Sequence, residues 1–178
     1  MTPMMQIETI AETRLTARHE TEIAGLLARC FATDFGGRSF YQQRHHLRLL
    51  LRDPDLVGHA AMTFRAIRIG DDLTDIAGLA EVATDPGHRG KGIALALVSA
   101  AIAEARSSLA DHVLLFGDAT LYAAAGFQAV RNPVTWIDLS GARMGAVHAG
   151  RAASLMVLPL RDKDWDPQAS IDLMGNLF

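Results

Sequence analysis

The sequence has little cysteine, few aromatic residues and almost no excess of charge, and each shortage excludes a class of protein. Of its 178 residues, only Cys30 is a cysteine, aromatic residues make up 6%, and the formal net charge is −3. A lone cysteine cannot form an intrachain disulfide, so nothing indicates an oxidising compartment. Nucleic-acid-binding proteins usually carry a basic face, and this composition offers no basic surplus.

Long apolar runs are also missing. The longest, around residues 92–103, is shorter than the ~20 residues of a membrane-spanning helix, so we expect no membrane association. Residues 1–6 lack the basic and apolar regions of a signal peptide, which favours a cytoplasmic protein. With 49% hydrophobic and 21% charged residues, the composition predicts one globular domain spanning residues 1–178.

A glycine-rich turn joins a strand-like segment to a long apolar helix. Residues 75–84 predict the strand, residues 85–92 read Asp-Pro-Gly-His-Arg-Gly-Lys-Gly, and Ile93 to Arg106 predicts a helix that is apolar on most sides. The first turn of a helix has unpaired N–H groups, which all point towards its N-terminal end. The order strand, turn, helix therefore predicts an anion-binding site.

The residue types in this turn suit a bulky anion. Gly90 and Gly92 have no side chain, so the anion can approach the backbone closely. Arg89 and Lys91 add positive charge beside it. The remaining question is which anion the turn binds.

Two common phosphate-binding patterns fail here and a third one fits. An NTPase P-loop would need a glycine in place of Asp85, and a dinucleotide-binding fingerprint would need one in place of Leu95. Residues 89–94, Arg-Gly-Lys-Gly-Ile-Ala, satisfy every position of the pattern Arg/Gln-x-x-Gly-x-Gly/Ala. Residues 122–127 match a second pattern, Tyr-x-x-x-Gly-Phe. With these two motifs, the chain resembles the GNAT superfamily of acyl-CoA-dependent N-acyltransferases.

The resemblance implies a fold and a co-substrate. The fold would be α/β (α+β), a single GNAT-like domain whose mixed, mostly antiparallel sheet of roughly six or seven strands is flanked by helices. Acetyl-CoA would be the co-substrate, with its pyrophosphate on the turn and its pantetheine beside the strand, and no metal would take part. The cofactor-binding residues implied are Val82, Ala83, Thr84, Arg89, Gly90, Lys91, Gly92, Ile93, Ala94 and Asp118.

The resemblance also implies a mechanism in which a deprotonated amine attacks the thioester directly. Backbone N–H groups near residues 82–84 would polarise the thioester carbonyl, and Tyr122 would protonate the departing thiolate as general acid. Glu81 is the only carboxylate in the apolar part of its strand. It is either the base that deprotonates the amine or the partner of an arginine on a covering helix in a salt bridge, and both interpretations stay open.

Five other polar residues have structural interpretations that compete with functional ones. Cys30 lies on the apolar face of a helix predicted for residues 17–32 and is expected to be a small buried hydrophobe. Asp34 is interpreted as a loop carboxylate, and His59 as a hydrogen-bonded core histidine. His45 and His46 are adjacent, point in different directions and are not expected to bind one metal ion.

The late part of the chain predicts short strands. Residues 127–130 and 134–139 are expected to be strands, residues 140–150 a mobile glycine-rich loop, and residues 153–160 the final strand before a polar tail. A homodimer formed through these strands and the tail is compatible with the sequence.

The acceptor is expected to be a primary amine of a small molecule or a peptide. A fainter resemblance, carried by residues 30–35, 57–61 and 155–160, is to aminoglycoside 2′-N-acetyltransferases and the nodulation N-acyltransferase. Asn176 and Phe178 depart from the acidic and aromatic ending of the aminoglycoside enzymes, so an antibiotic substrate is not implied. The alternative function is a non-catalytic acyl-CoA-binding module of the same fold.

Overall fold

One ten-stranded sheet organises the chain in the computed structural model, which describes residues 5–178. Three α-helices accompany it in that range. In chain order the elements are β1 (Ile7–Ala11), α1 (Ala17–Cys30), β2 (Leu47–Asp53), β3 (Asp55–Ile69), β4 (Asp72–Thr84), α2 (Ile93–Arg106), β5 (His112–Phe116), α3 (Ala119–Ala124), β6 (Gln128–Ala129), β7 (Pro133–Ile137), β8 (Val147–Arg151), β9 (Leu155–Pro159) and β10 (Ile171–Asp172).

The long hairpin of β3 and β4 forms the middle of the sheet. The strand order is β6-β9-β5-β4-β3-β10-β7-β8, while β2 and then β1 continue the sheet from the first half of β3. The β4–β5 and β7–β10 pairs are parallel and the other pairs are antiparallel. The predicted mixed, mostly antiparallel sheet is confirmed, although it has more strands than the six or seven expected. Strands of two residues, such as β6 and β10, are too short to show an alternating pattern.

The two longer helices cover opposite faces of the sheet. In β2, Leu49 and Leu51 join the apolar cluster around α2, whereas Leu50 joins the cluster around α1, as the alternation of a strand requires. Helix α1 begins at a capping box on Thr16 and ends at Cys30, before the predicted end at residue 32. In the described part of the chain no helix, α2 included, has the length and hydrophobicity needed to cross a bilayer.

Helix α2 approaches β3 closely because the strand has a glycine at the point of contact. A Cβ atom on Gly58 would lie 2.7 Å from Cγ2 of Ile93 and 3.0 Å from Cδ1 of Leu97. Both partners are almost fully buried, so neither has free space to move into. The first turns of α2, which also border the glycine-rich turn, are therefore held against the sheet.

We expect Gly58→Ala to destabilise the protein by about 1–3 kcal/mol, the usual cost of overpacking a close-packed core. Urea unfolding followed by circular dichroism measures it. Gly150→Ala is the matched control, because a Cβ atom there meets nothing within 4 Å, and it should change stability by less than about 0.5 kcal/mol. Equal stability of both variants would contradict the close contact between α2 and β3.

The last forty residues differ most from the sequence-based predictions. The segment predicted to be a mobile loop contains a 3-10 turn (Ser140–Ala142) and most of β8, which pairs with β7. Strand β9 is not the final strand, because the chain continues to β10, which inserts between β3 and β7. The tail then returns to the middle of the sheet, where Phe178 lies against Gly78 of β4.

Candidate active site

A cleft opens where β4 and β5 separate. The two parallel strands pair only where residues 76–79 lie opposite residues 112–115. Beyond Leu79, the edge of β4 that faces β5 has no strand partner among the described residues. Its backbone N–H and C=O groups can therefore pair with an extended ligand, as an added strand would.

A cavity of about 400 Å³ fills this cleft and brings most of the predicted cofactor-binding residues together. Its walls come from the end of β4, the glycine-rich turn, the start of α2 and Leu121 of α3. Lys91 and Asp118 are not among its lining residues. The predicted residues that line it are Val82, Ala83, Thr84, Arg89, Gly90, Gly92, Ile93 and Ala94.

The turn has a backbone conformation that favours glycine. Gly90 and Gly92 have φ of +78° and +77°, in the left-handed region where other residues are strained. A Cβ atom at either position would meet nothing within 4 Å, so conformation and not crowding requires the glycines. Helix α2 starts directly after Gly92, and the residues of its first turn line the cavity. This geometry suits an anion at the helix N-terminus, and anion binding at the turn stays a prediction.

Asp118 caps helix α3. Its Oδ1 accepts a hydrogen bond from the backbone N–H of Thr120 at 2.9 Å, as the sequence predicts for an N-cap residue. Its role in cofactor binding stays a prediction.

Strand β4 has a bulge at Glu81. Ala80 pairs with Ala61 and Ala83 with His59, so two residues of β4, Glu81 and Val82, oppose a single residue of β3. Glu81 has a φ of +52°, which costs a residue with a side chain about 1–2 kcal/mol. Across the bulge, Val82 lines the cleft described above, whereas Glu81 lines a different cavity.

This second cavity has a volume of about 260 Å³ and adjoins the cleft. Phe31, at the end of α1, lines both spaces, and the bulge of β4 lies between them. Its other walls come from the loop between α1 and β2, the end of β5 and the last three residues, Asn176 to Phe178. We call it the acceptor cavity.

The Glu81 carboxylate is buried in a polar pocket. Its side chain is 9% exposed, its Oε1 accepts the Tyr41 backbone N–H at 2.8 Å, and Nε2 of His45 lies 3.1 Å from the same oxygen. Nε2 of His45 is not aligned for a regular hydrogen bond to this oxygen. Nη1 of Arg48 lies 3.7 Å from Oε2, which accepts no hydrogen bond from any residue in the range 5–178.

Glu81 is ionised at neutral pH. Burial by itself would raise the pKa of this carboxyl group, but the nearby His45 ring and the Tyr41 N–H outweigh burial and lower the pKa. The carboxylate therefore carries its charge where the two cavities meet. The predicted ion pair with an arginine exists only as the longer contact to Arg48, which lies on β2 and not on a covering helix.

His59 is the hydrogen-bonded core histidine that the sequence predicts, and it holds the bulge. Its Nδ1 lies 2.8 Å from the backbone oxygen of Glu81, and its Nε2 lies 3.3 Å from Nη1 of Arg48. A carbonyl can only accept and a guanidinium can only donate, so Nδ1 carries the proton and Nε2 accepts. Arg48 is fully buried and donates two hydrogen bonds to Glu12, of 2.8 and 3.1 Å. These contacts offset the backbone strain at Glu81.

The neutral state of His59 should make stability depend on pH. Burial, followed by the nearby Arg48 charge, lowers the pKa of His59 from 6.5 to about 4. Below pH 6.5 the unfolded chain binds a proton at this histidine, whereas the folded protein binds one only near pH 4. The free energy of unfolding therefore decreases as the pH is lowered from 6.5 to about 4. The loss should be on the order of 3 kcal/mol.

The check is urea unfolding at pH values between 7 and 4. His59→Asn keeps an N–H donor near the Glu81 carbonyl but does not titrate, so its stability should change less over the window. His112, whose pKa is also lowered by burial, contributes equally to both proteins. Parallel stability profiles of wild type and variant would refute the assignment of a buried neutral His59.

Tyr122 lies on α3 with its ring between the end of β5 and Phe127. A Cβ atom on Gly117 would lie 2.7 Å from the ring, and the Phe127 ring centre is 6.0 Å away. Burial, with a smaller effect of Asp118, raises the pKa of Tyr122, so the phenol is protonated at neutral pH. Its neighbour Leu121, and not Tyr122, is among the residues that line the cleft. The role of Tyr122 as general acid stays a prediction.

Cys30 differs from the small buried hydrophobe that was expected. It is half-buried and lines the cleft, because α1 ends there beside the end of β4. Its Sγ donates to the backbone oxygen of Thr84 at 3.2 Å, and burial raises the pKa of the thiol. Oδ1 of Asp34 accepts the N–H of Gly36 at 2.6 Å within an exposed loop turn. Within residues 5–178, no group of three or more His, Cys, Asp or Glu side chains could hold a metal ion.

Arg48 and Tyr41 are parts of the site that were not predicted from the sequence. Arg48 did leave a signal, because an arginine inside the run Leu-Arg-Leu-Leu-Leu is a charge in an otherwise buried strand. Tyr41 contributes a backbone N–H, which any residue could supply. The tail reaches the cavity only through the long return after β9, and no local pattern reveals such a path.

A comparison with protein-family models agrees with the fold described above. The family model described as Acetyltransferase (GNAT) domain matches residues 13–130. A search among curated proteins finds no significant match.

Several solved structures share the fold at low sequence identity. The GNAT family N-acetyltransferase YhbS of Escherichia coli, solved in complex with CoA, has a TM-score of 0.64 and 20% identity, covering 97% of this chain and 92% of its own. A GNAT family acetyltransferase of Brucella melitensis, in complex with acetyl-CoA, has a TM-score of 0.60 and 20% identity, covering 93% and 94%. The ribosomal-protein-S18-alanine N-acetyltransferase of Escherichia coli has a TM-score of 0.57 and 18% identity, covering 90% and 98%. Since the family model covers more than half of the chain, the chain belongs to the GNAT acetyltransferase family.

Proposed function

We propose that the protein transfers an acetyl group from acetyl-CoA to the primary amine of a small molecule or a peptide. The observation that carries this proposal is the meeting of two cavities at the bulge of β4. One cavity has an anion-binding turn at its end, and the other has a buried carboxylate at its wall. A thioester in the first and an amine in the second would meet beside Glu81 and Val82.

Acetyl-CoA would bind in the cleft between β4 and β5. Its pyrophosphate would accept hydrogen bonds from the N-terminus of α2 and from the turn, where Arg89 and Lys91 supply positive charge. Its pantetheine would pair with the edge of β4 that β5 leaves open beyond Leu79. The structures of YhbS with CoA and of the Brucella protein with acetyl-CoA support this assignment through the shared fold.

The reaction would proceed by direct attack. The protonated amine loses a proton towards Glu81, directly or through water, and its nitrogen then attacks the thioester carbonyl. Backbone N–H groups near Val82 stabilise the developing oxyanion. The carbon–sulfur bond breaks, and the departing thiolate takes a proton from Tyr122. The nitrogen loses its second proton, which returns to the Tyr122 phenolate through water, and Glu81 releases the first proton to solvent. The products are an acetamide and CoA.

The experiment that tests this proposal combines binding and turnover. Isothermal titration calorimetry measures acetyl-CoA binding, and the appearance of free thiol measures acetyl transfer to a panel of amines. Binding together with amine-dependent thiol release supports the proposal. Binding without turnover for any amine would indicate a non-catalytic acyl-CoA-binding module, and no binding would remove the proposal altogether.

A further inference from the structure

A separate cavity lies at the other end of the β3–β4 hairpin from Glu81. Its volume is about 360 Å³, within the usual ~300–1,000 Å³ of ligand sites, and its walls come from the turn between β3 and β4, the start of β5 and the segment between β9 and β10. Thr74, on its wall, precedes Glu81 on β4 by seven residues, which is roughly 20 Å along a strand. We call it the distal cavity, and it shares no lining residue with the cleft or the acceptor cavity.

Two buried polar side chains face the distal cavity. Thr74 and His112 both line it, and each is 2% exposed. Ile76 lies two residues after Thr74 and pairs with His112 of the parallel strand β5, so the three side chains share one face of the sheet. Trp165, another lining residue, packs with the apolar cluster of Ile76, and its ring centre is 5.2 Å from that of His112. Both polar side chains therefore point towards the segment that forms the opposite wall.

These two side chains have buried polar atoms without a regular hydrogen bond to any residue in the range 5–178. The atoms are Oγ1 of Thr74 and both ring nitrogens of His112. The backbone oxygen of Lys163 lies beside the ring but is not aligned for a regular bond, and because a carbonyl only accepts, it favours the proton on the nitrogen that faces it. Burial lowers the pKa of His112, so the ring is neutral at pH 7 and its other nitrogen is a buried acceptor. Buried polar atoms without partners are uncommon and mark a place where water or a ligand binds.

The rim of the distal cavity is acidic. Four aspartates line it against one lysine, Lys163, whose Nζ lies 3.7 Å from the carboxylate of Asp111 outside the cavity. Arg68 donates to the backbone oxygen of Asp71 at 2.8 Å but is not a lining residue. The rim therefore attracts cations, and since no group of side chains within residues 5–178 could hold a metal ion, an organic cation suits it. The four aspartates are Asp71, Asp72, Asp164 and Asp166.

One small ligand can reach both buried side chains. Thr74 is two residues from Ile76, the strand partner of His112. One strand spacing of about 4.8 Å and two residues of about 3.3 Å each therefore separate the two positions by roughly 8 Å. Hydrogen bonds of about 2.9 Å at each end leave room between the side chains for a group of guanidinium size.

From these observations we propose that the distal cavity binds a small organic cation with N–H donors, of the guanidinium or alkylammonium type. Its N–H groups donate to Oγ1 of Thr74 and to the acceptor nitrogen of His112, and its charge faces the aspartates of the rim. Trp165 covers its apolar part. The site is independent of the proposed acetyl transfer, because it has no residue in common with either cavity of the candidate active site.

Trp165 provides a direct readout of this site. The chain has two tryptophans, and Trp136 stacks on His148 and does not line the distal cavity. The indole N–H of Trp165 donates to Oδ1 of Asn132 at 3.0 Å. NMR of protein with isotope-labelled tryptophan therefore gives one reporter and one internal control, which the variant Trp136→Phe assigns.

The titration compares cations that differ in their donors. We expect ethylguanidinium to shift the Trp165 signal saturably, with a Kd on the order of 1 mM, and to leave the Trp136 signal in place. Propylammonium should act in the same way. Tetramethylammonium has the charge but no N–H donor, so it should bind at least about 10-fold more weakly.

Two variants locate the bound cation. Thr74→Val keeps the shape of the buried side chain without its hydroxyl and should raise the Kd of ethylguanidinium about 10-fold. Asp164→Asn removes one exposed rim charge and should raise the Kd by up to about 5-fold. Asp55→Asn is the matched control, because it removes the same charge from an exposed position at the opposite end of β3 and should leave the Kd unchanged. The two exposed substitutions keep the test valid even if Thr74→Val does not fold.

Each outcome decides the proposal. A saturable shift of the Trp165 signal that Asp164→Asn weakens and Asp55→Asn does not would support it. The absence of a shift with both ethylguanidinium and propylammonium would overturn it and assign the buried atoms to water. Equal binding of tetramethylammonium would also overturn it, because the rim would then attract cations without the assigned hydrogen bonds. None of these measurements needs turnover, so a failure of the proposed function would leave their result unchanged.

Discussion

Glu81→Gln is expected to lower kcat/KM for acetyl transfer by about 10²- to 10³-fold, within the range of a lost general base. Glutamine has the same shape and retains an oxygen that can accept the hydrogen bond from the Tyr41 N–H. In the wild-type protein this N–H donates to Oε1 of Glu81 at 2.8 Å. It cannot take a proton from the acceptor, and it removes the only acidic side chain among the residues that line the acceptor cavity. Steady-state thiol release with the best acceptor of the panel measures the effect.

The control and the stability of the variant distinguish a catalytic role from an ion pair. Glu8→Gln, at an exposed position of β1, should leave kcat/KM unchanged. A structural ion pair predicts a different result for Glu81→Gln, with a lower urea midpoint and nearly normal turnover. That combination would remove Glu81 from the mechanism. Retained stability with a large loss of kcat/KM would establish its role in the chemistry.

Tyr122→Phe is expected to lower kcat by about 10²-fold while leaving acetyl-CoA affinity nearly unchanged, because the loss of a general acid affects the departure of the thiolate and not binding. Burial raises the pKa of this phenol, which keeps it protonated and able to donate. Phenylalanine preserves the packing against Gly117 and Phe127. Turnover by thiol release and calorimetry with acetyl-CoA measure the two quantities.

The position of Tyr122 makes this a demanding test. Its ring packs between β5 and Phe127, and the adjacent Leu121 lines the cleft, so a purely structural tyrosine would tolerate the substitution. Turnover equal to that of wild type would assign the proton donor to water or to another group. A matching loss of acetyl-CoA affinity would instead indicate that the hydroxyl shapes the cleft.

The sequence by itself determined the features that depend on neighbouring residues. Helix α2 runs from Ile93 to Arg106 as predicted, because a glycine in the left-handed region precedes it and its apolar residues bury it against the sheet. Strand β4 contains the predicted strand of residues 75–84, although it begins earlier, at Asp72. The glycine-rich turn belongs to this class, because its left-handed backbone conformation is favoured by the residue type at Gly90 and Gly92.

Only the tertiary structure decided how the carboxylate is presented. Alternation along β4 would place Glu81 on one face or the other, but the bulge changes the register and gives Glu81 a positive φ. That conformation is held by His59 and Arg48, which lie on two other strands. Contacts between distant strands leave no periodic trace in the sequence, so the bulge could not be predicted.

The acceptor cavity likewise depends on residues that are far apart in the chain. The sequence identified a carboxylate and an anion-binding turn, but the cavity walls join Phe31, Phe116 and Phe178 through the return of the tail across the sheet. Short strands such as β10 guide that return, and two residues cannot show a hydrophobic period. Local pattern therefore specified where acetyl-CoA is proposed to bind, whereas the acceptor side, which sets the substrate class, was decided by long-range packing.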